Sequence, residues 1–502
     1  LTDAARRQAD PARLVLLLIL GTLALRVGAA WAIGLGVDES YMVAAGRTLR
    51  LGYFDHPPAS WWLSWGAAHL AGTEAPAVVR LPFILLFALS TWLMYRLGTV
   101  LAGPRAGLWA AVLLNLSPVF TLTTASWVLP DGPLDCALLG AALCLMHALP
   151  RGPRRAAPWW AGAGLCAGLA LFSKYSAILT IGGAGLYLLT QPAHRRWLIR
   201  PHPYGAVVIA ALVFGPVVAW NAAHGWASFA FQGARAEAAH LHPLAPLVTL
   251  GGEALFVLPW IWLPMMAVLV AALRRGPTSW GHWLLAWLAL PPIVVFALIA
   301  LWSSQRVLYH WAAPGYLMLF PLLGAWVAEH LENRHVRRTL IGTAALLVAV
   351  VAVVAIQVRT DWLRPVVMAF AHGRDPDLEG IDWTSLRDEL AARGLLDRPG
   401  LVVGATNWRD AGKIAYALGP GVRVIVLNAD ARQFGFGATP RDAIGEDVLI
   451  LAPEHADRVP AEYARIFASI EALPPAAIRL AGNEIGTVAV LLGHRLLAWP
   501  PP

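Results

Sequence analysis

Residues 14–40 read LVLLLILGTLALRVGAAWAIGLGVDES: a long apolar run that turns at once into a carboxylate pair, Asp38-Glu39. A membrane-spanning helix needs about 20 apolar residues, and residues 14–35 reach that length. Ten further runs of this kind lie near 79–102, 105–126, 133–149, 158–173, 175–190, 204–220, 250–273, 280–301, 311–328 and 339–358. About 11 transmembrane helices are therefore expected. The first run follows Arg6, Arg7 and Arg13. It is too long for the apolar core of a cleaved leader, so it reads as a retained signal anchor.

Composition agrees. Of 502 residues, 58% are hydrophobic and 14% charged, against roughly 25% charged in a soluble domain. A soluble globular chain, a disordered chain and a nucleic-acid-binding module are all excluded as primary readings. From Asp361 onward, 18 acidic and 14 basic residues share 142 positions, whereas 12 acidic and 24 basic residues share the first 360. A polytopic helical membrane domain, residues 1–359, is thus followed by a water-soluble domain, residues 360–502. Runs of β type at Leu401–Ala405, Val422–Asn428, Val448–Leu451 and Thr487–Leu492, with a helical pattern at Asp410–Leu418, make the tail a small α/β domain. Cys136, Cys144 and Cys166 all lie in apolar segments and form neither a metal spacing nor a disulfide framework.

Arginine sets the expected orientation. With a cytoplasmic N-terminus, the inside loops hold Arg96 and Arg105, then Arg151, Arg154 and Arg155. Arg195, Arg196 and Arg200 follow, then Arg274 and Arg275, then Arg334, Arg337 and Arg338. This alternation follows the positive-inside rule and places the tail domain outside, in a bacterial periplasm. The outer loops then collect the acids Asp38, Glu39, Asp55, Glu74, Asp131, Asp135, Glu237 and Glu253, together with Lys174, one of two lysines in the chain. Carboxylates gathered at one membrane face point to chemistry there.

The first outer loop, about 36–80, carries helical patterns at 40–50 and 59–71, the second rich in tryptophan; two helices in the interface plane are expected. Asp38 reads as a general base at the membrane surface, with a helix-capping acid as its rival. Trp61, Trp62 and Trp65 read first as interfacial anchors and second as a sugar-stacking surface.

Asp38-Glu39 followed by Gly52-Tyr53-Phe54-Asp55-His56-Pro57-Pro58 resembles bacterial polyprenyl-phosphate-sugar glycosyltransferases of the protein-mannosyltransferase and aminoarabinose-transferase group, in the C-type glycosyltransferase superfamily. The resemblance continues through Leu129-Pro130-Asp131-Gly132-Pro133-Leu134, Ser173-Lys174-Tyr175, Trp220-Asn221, Ser228–Gln232 and His310-Trp311. Asn407-Trp408 with Lys413–Tyr416 is similar to tails in one branch.

The resemblance implies inverting transfer of a monosaccharide from a polyprenyl-phosphate donor, such as undecaprenyl phosphate, to an acceptor hydroxyl on a lipid, glycan or protein. It places this at the outer face of the inner membrane, among membrane lipids and without nucleic acid. It assigns the catalytic base to Asp38, beside Glu39, and a second acid to Asp131, whose rival reading is a helix N-cap. His56 stands where some relatives have a lysine. With Tyr53, Asp55, Gln232 and His310 it joins the donor phosphate and sugar set, and Lys174 and Arg235 are its stronger phosphate cations. Snorkelling and loop solvation are the rivals for those two. No cofactor is required. A divalent metal at His224, Glu237, His240 and His242 is the lesser alternative, because their spacing fits no established ligand motif. A secondary transporter or lipid-linked-sugar flippase is the rival function. It would place ionisable groups at the midplane in paired repeats, whereas these acids cluster at helix ends. An inactive carrier-lipid-binding module is a third reading.

Overall fold

The computed structural model describes residues 10–499, except 236, 238, 239, 304, 371–376 and 454–458. Arg6 and Arg7 lie outside the described residues. The helices run α1 Pro11–Ala32, α2 Val37–Ala45, α3 Ala59–Ala71, α4 Pro76–Ala102, α5 Pro104–Leu116, α6 Asp131–Ala148, α7 Pro153–Ser173, α8 Ala177–Thr190 and α9 Pro201–Ala223. They continue with α10 Ala227–Ala234, α11 Ala245–Val257, α12 Pro259–Arg275, α13 Trp280–Ile299, α14 Ala313–Leu317, α15 Phe320–His330 and α16 Arg334–Thr360. Two compact units emerge. The first comprises residues 1–27, 50–60 and 81–348; the second comprises 28–49, 61–80 and 349–502.

Six described helices (α1, α4, α7, α9, α13 and α16) are long and apolar enough to cross a membrane, and the bent pair α11/α12 makes a seventh. The other apolar runs, of the about 11 expected, fold as shorter or interrupted helices that length and composition alone do not count as spans. The breaks have local causes. Pro118 lacks the N–H that would continue α5, and a π-helical turn, Val119–Thr124, follows. Leu258, at φ 83°, precedes Pro259 and turns the chain through 113° between α11 and α12. Pro321 sits at the start of α15, where a missing N–H is harmless.

Close packing in the first unit uses small residues, as expected where lipid removes the hydrophobic drive between helices. A Cβ on Gly168 of α7 would lie 3.0 Å from Cα of Ala210 on α9, and one on Gly183 of α8 would lie 2.1 Å from the carbonyl oxygen of Trp287 on α13. Leu16, Leu17, Leu20 and Leu25 of α1 point outward instead, as suits a lipid-facing helix.

The second unit holds a five-stranded sheet: β1 Val402–Ala405, β2 Arg423–Val426, β3 Val448–Ala452, β4 Phe467–Leu480 and β5 Asn483–Leu496, in the order β2-β1-β3-β5-β4. β2, β1 and β3 are parallel, and β5 runs antiparallel to both β3 and β4. The helix Trp408–Leu418 makes the crossover from β1 to β2; numbering α17 Arg364–Phe370, α18 Asp377–Gly380 and α19 Thr384–Ala392 before it, this is α20. Asn407 caps it, its side chain accepting from Asp410 N at 3.0 Å. β4 has no counterpart among the β runs expected from sequence. Pro474-Pro475 interrupts it, and the register shifts between Leu473 and Ala476 where those prolines cannot donate to the ladder.

The expected first-loop helices form as α2 and α3, with α2 ending at Gly46. Trp61 of α3 is fully buried, 5.6 Å from Tyr41 ring to ring. It is core rather than an interfacial anchor or a sugar platform.

Candidate active site

In the first unit the motifs that are scattered in sequence gather. Asp131 opens α6, and Lys174 is the residue that ends α7; they form a nearly buried ion pair at 2.8 Å. Asp131 is therefore held by an ion pair, with no side-chain cap bond at its helix start, and Lys174 is pinned rather than snorkelling. His310 and His56 are the other basic side chains within electrostatic reach of Asp131. One turn further on, Asp135 is buried, and its carboxyl oxygens have no hydrogen-bond partner among the described residues.

The Gly52–Pro58 segment meets the Trp220–Gln232 segment. A Cβ on Gly52 would touch the Trp220 indole at 2.9 Å, so only glycine lets the loop lie there. Gln232 Nε2 donates to the Asp55 carbonyl, and Phe54 packs on Phe231 at 4.7 Å between ring centres. Tyr53 is buried, its hydroxyl accepting from Arg50 N at 3.1 Å. Arg235 lies with its guanidinium over Phe231 at 4.6 Å and over Trp311 at 5.5 Å, and reaches Gln232 Oε1 at 3.4 Å. Aromatic faces thus orient this arginine while its planar donors keep their forked geometry.

In the second unit the adjacent acids have separate fates. Glu39 is buried and tied down: Arg80 Nε donates to Oε1 at 2.8 Å, Arg80 NH2 to Oε2 at 2.5 Å, and Gly36 N to Oε2 at 3.1 Å. It works as an acid in the first turn of α2, reaching back to the helix start. Asp38 is exposed. Its carboxyl is nevertheless raised above its ordinary value, chiefly by desolvation, with Arg409 and Arg432 opposing and Glu39 and Glu379 adding to the rise.

Sequence reasoning missed Arg80 and Arg432, and it quoted Lys413 in a motif without giving it a role. Arg80 opens an apolar span, where a basic residue is ordinarily an interfacial one. Nothing local marks it as the partner of Glu39, 41 positions earlier.

Among the described residues, no three His, Cys, Asp or Glu side chains converge to hold a metal. His224 instead stacks on Trp220 at 4.3 Å.

Comparison with known proteins follows these motifs. The profile of the dolichyl-phosphate-mannose-protein mannosyltransferase family matches residues 55–220. Lipid A galacturonosyltransferase RgtD of Rhizobium johnstonii is 23% identical over 307 residues, which is 58% of this chain and 60% of that relative. The chain therefore spans about 60% of the curated relative it matches. Among solved structures, ArnT from Cupriavidus metallidurans in the apo state superposes over 96% of this chain and 98% of its own, with a TM-score of 0.63 at 16% identity. The same protein bound to undecaprenyl phosphate gives 0.62 at 14% identity, over 95% of this chain and 97% of its own. The chain thus shares the fold of ArnT along nearly its whole length, and the dolichyl-phosphate-mannose-protein mannosyltransferase profile matches it over residues 55–220.

Proposed function

We propose that the chain is an inverting glycosyltransferase that moves a monosaccharide from a polyprenyl-phosphate carrier to an acceptor hydroxyl on a lipid, glycan or protein. The reaction takes place at the outer face of the bacterial inner membrane, with residues 360–502 on the periplasmic side. The observation that carries the reading is the contrast between the two neighbouring acids: Glu39 is locked by Arg80, while Asp38 is exposed and has its carboxyl raised above its ordinary value. A base is most useful when its pKa approaches the working pH.

In this reading the acceptor oxygen attacks the anomeric carbon and its proton passes to Asp38. The bond from the anomeric carbon to the phosphate oxygen breaks, and the polyprenyl phosphate leaves with the electron pair. Inversion by direct displacement asks for one base and a stabilised leaving group. Lys174 and Arg235 supply charge-assisted hydrogen bonds to the phosphate, while His56, His310, Gln232, Tyr53 and Asp55 shape the donor cluster and Asp131 holds Lys174. The donor brings its own leaving group, so no cofactor enters this scheme.

Asp38→Asn keeps the size of the side chain and removes its basicity. Loss of a general base costs about 10²–10⁴-fold, so transfer should fall at least a hundredfold while undecaprenyl phosphate still binds. The product to follow is the sugar-modified envelope component that mass spectrometry finds in cells with the wild-type chain and not in cells without it. The base acts only when ionised, so the wild-type rate should decline as pH falls through the Asp38 pKa. Because that pKa is raised, the acid limb should lie above the ordinary aspartate range. Near-normal turnover by Asp38→Asn would remove Asp38 from the mechanism.

A further inference from the structure

The segment joining α1 to α2 is short, and Asp38 follows it by two residues. Every carbonyl from Ile33 to Gly36 has a donor. Arg80 takes Ile33 O at 2.6 Å and Gly34 O at 2.7 Å. Gly36 O accepts from Ser40 N at 2.9 Å. Leu35 O accepts from Ser40 Oγ at 3.2 Å and also from Lys413 Nζ at 2.9 Å. That last donor comes from α20, 378 positions along the chain. The same ammonium donates to Ile381 O, so one cation ties the α1–α2 segment to the strand of chain before α19.

This lysine is an expensive residue to place there. It is 0% exposed, one of the largest fully buried side chains in the protein. A buried charge is retained only when paired or well hydrogen-bonded. Burial pushes the ammonium down to about 7, and Asp382, Glu39, Glu379 and Asp38 oppose that shift. A methionine of similar shape would fill the space without the desolvation cost, so packing alone does not account for the amine. Other contacts hold α2 against α20 and the turn at Arg432–Phe436. A Cβ on Gly412 would stand 2.7 Å from Tyr41 Cα, Tyr41 packs edge-on to Trp408 at 5.0 Å, and Gln433 N donates to the Tyr41 hydroxyl at 2.9 Å. On the other flank, a Cβ on Gly34 would stand 2.7 Å from the backbone nitrogen of Asp382.

Resting on the assignment of Asp38 as the base, we propose that Lys413 is a positioning residue: the tail domain, through Lys413 and the face of α20 that carries it, holds the Ile33–Gly36 segment in the geometry that aims Asp38. The motif Asn407-Trp408 with Lys413–Tyr416 thereby gains a function in the reaction, although Lys413 touches no substrate.

The test compares the full-length protein in detergent as wild type, Lys413→Met and Lys413→Gln, the last keeping an N–H donor of shorter reach. Three readouts are needed: hydrogen–deuterium exchange over residues 33–41, binding of undecaprenyl phosphate as the probe, and formation of the sugar-modified product. The expected result for Lys413→Met is exchange at least tenfold faster in 33–41, transfer down at least tenfold, and probe binding within twofold of wild type. Lys413→Gln should fall between. A folded Lys413→Met with unchanged exchange in 33–41, or with unchanged transfer, overturns the proposal. So does failure of both variants to fold, which would make Lys413 a plain folding requirement. The two assignments fail separately: transfer intact in Asp38→Asn removes the base, whereas slow exchange in Lys413→Met removes the positioning residue and leaves the base standing.

Discussion

Lys174 and Arg235 bring the same charge to the proposed donor cluster, but they are held by different forces, and substitution should separate them. Lys174 is 2.8 Å from Asp131, and both side chains are nearly buried. Removing one partner of a buried ion pair strands the other charge, at a cost of about 3–5 kcal/mol. Lys174→Ala should therefore lower thermal stability as well as undecaprenyl phosphate binding, and adding Asp131→Ala should recover part of the stability. Arg235 is held by aromatic faces and a long bond to Gln232. Arg235→Ala should cost binding of the probe about tenfold, from the roughly 1.5–3 kcal/mol of a hydrogen bond to a charged group, and leave the melting temperature nearly unchanged. Equal stability losses in the two single variants would contradict this division. At this scale the residue types were legible in the sequence, since a lysine and an arginine among outer acids advertise an anionic ligand. Their partners were not, because Asp131 meets Lys174 across 43 positions.

The contact between α2 and α20 depends on a residue with no side chain. At Gly412 an added methyl meets Tyr41 Cα and Cβ at 2.7 Å, and the α2 backbone nitrogen of Tyr41 at 2.9 Å. Backbone cannot rotate out of the way as a side chain can, so Gly412→Ala must push the helices apart. Overpacking of this kind typically costs about 1–3 kcal/mol. Thermal unfolding of the full chain should begin at lower temperature, with protease cleavage appearing first around α2 and α20. An unchanged melting curve would show that the two helices are not packed as described. Elements with a strong local period were readable beforehand: α3, α20 and the strands β1, β2, β3 and β5 all follow runs visible in the sequence. β4 was not, because Pro474-Pro475 and a first half that is mostly exposed without alternation hide a strand that its partner β5 stabilises through pairing. The interrupted helices α5, α11/α12 and α14/α15 were merged into spans for a related reason. Hydropathy measures the polarity of a segment and is blind to a bend at Leu258.

For the whole molecule, the alternation of loop arginines still predicts the sidedness that helix length alone leaves open. A reporter enzyme that works only outside the cytoplasm should be active when fused after Pro502, and activity of a cytoplasm-only reporter there would contradict the proposed periplasmic placement of residues 360–502. The chain's membrane character, the order of its apolar segments, the soluble α/β tail and the first-loop acids were all determined by the sequence alone, because each depends on neighbours within a few turns of chain. Which of Asp38 and Glu39 is tied down and which stays exposed was decided only in three dimensions. Glu39 is neutralised by Arg80 and the segment before it is held by Lys413, and neither cation is within 40 residues of the pair. Adjacent carboxylates are chemically alike in sequence; what separates them is desolvation and hydrogen bonding, and those are set by side chains that folding brings from elsewhere.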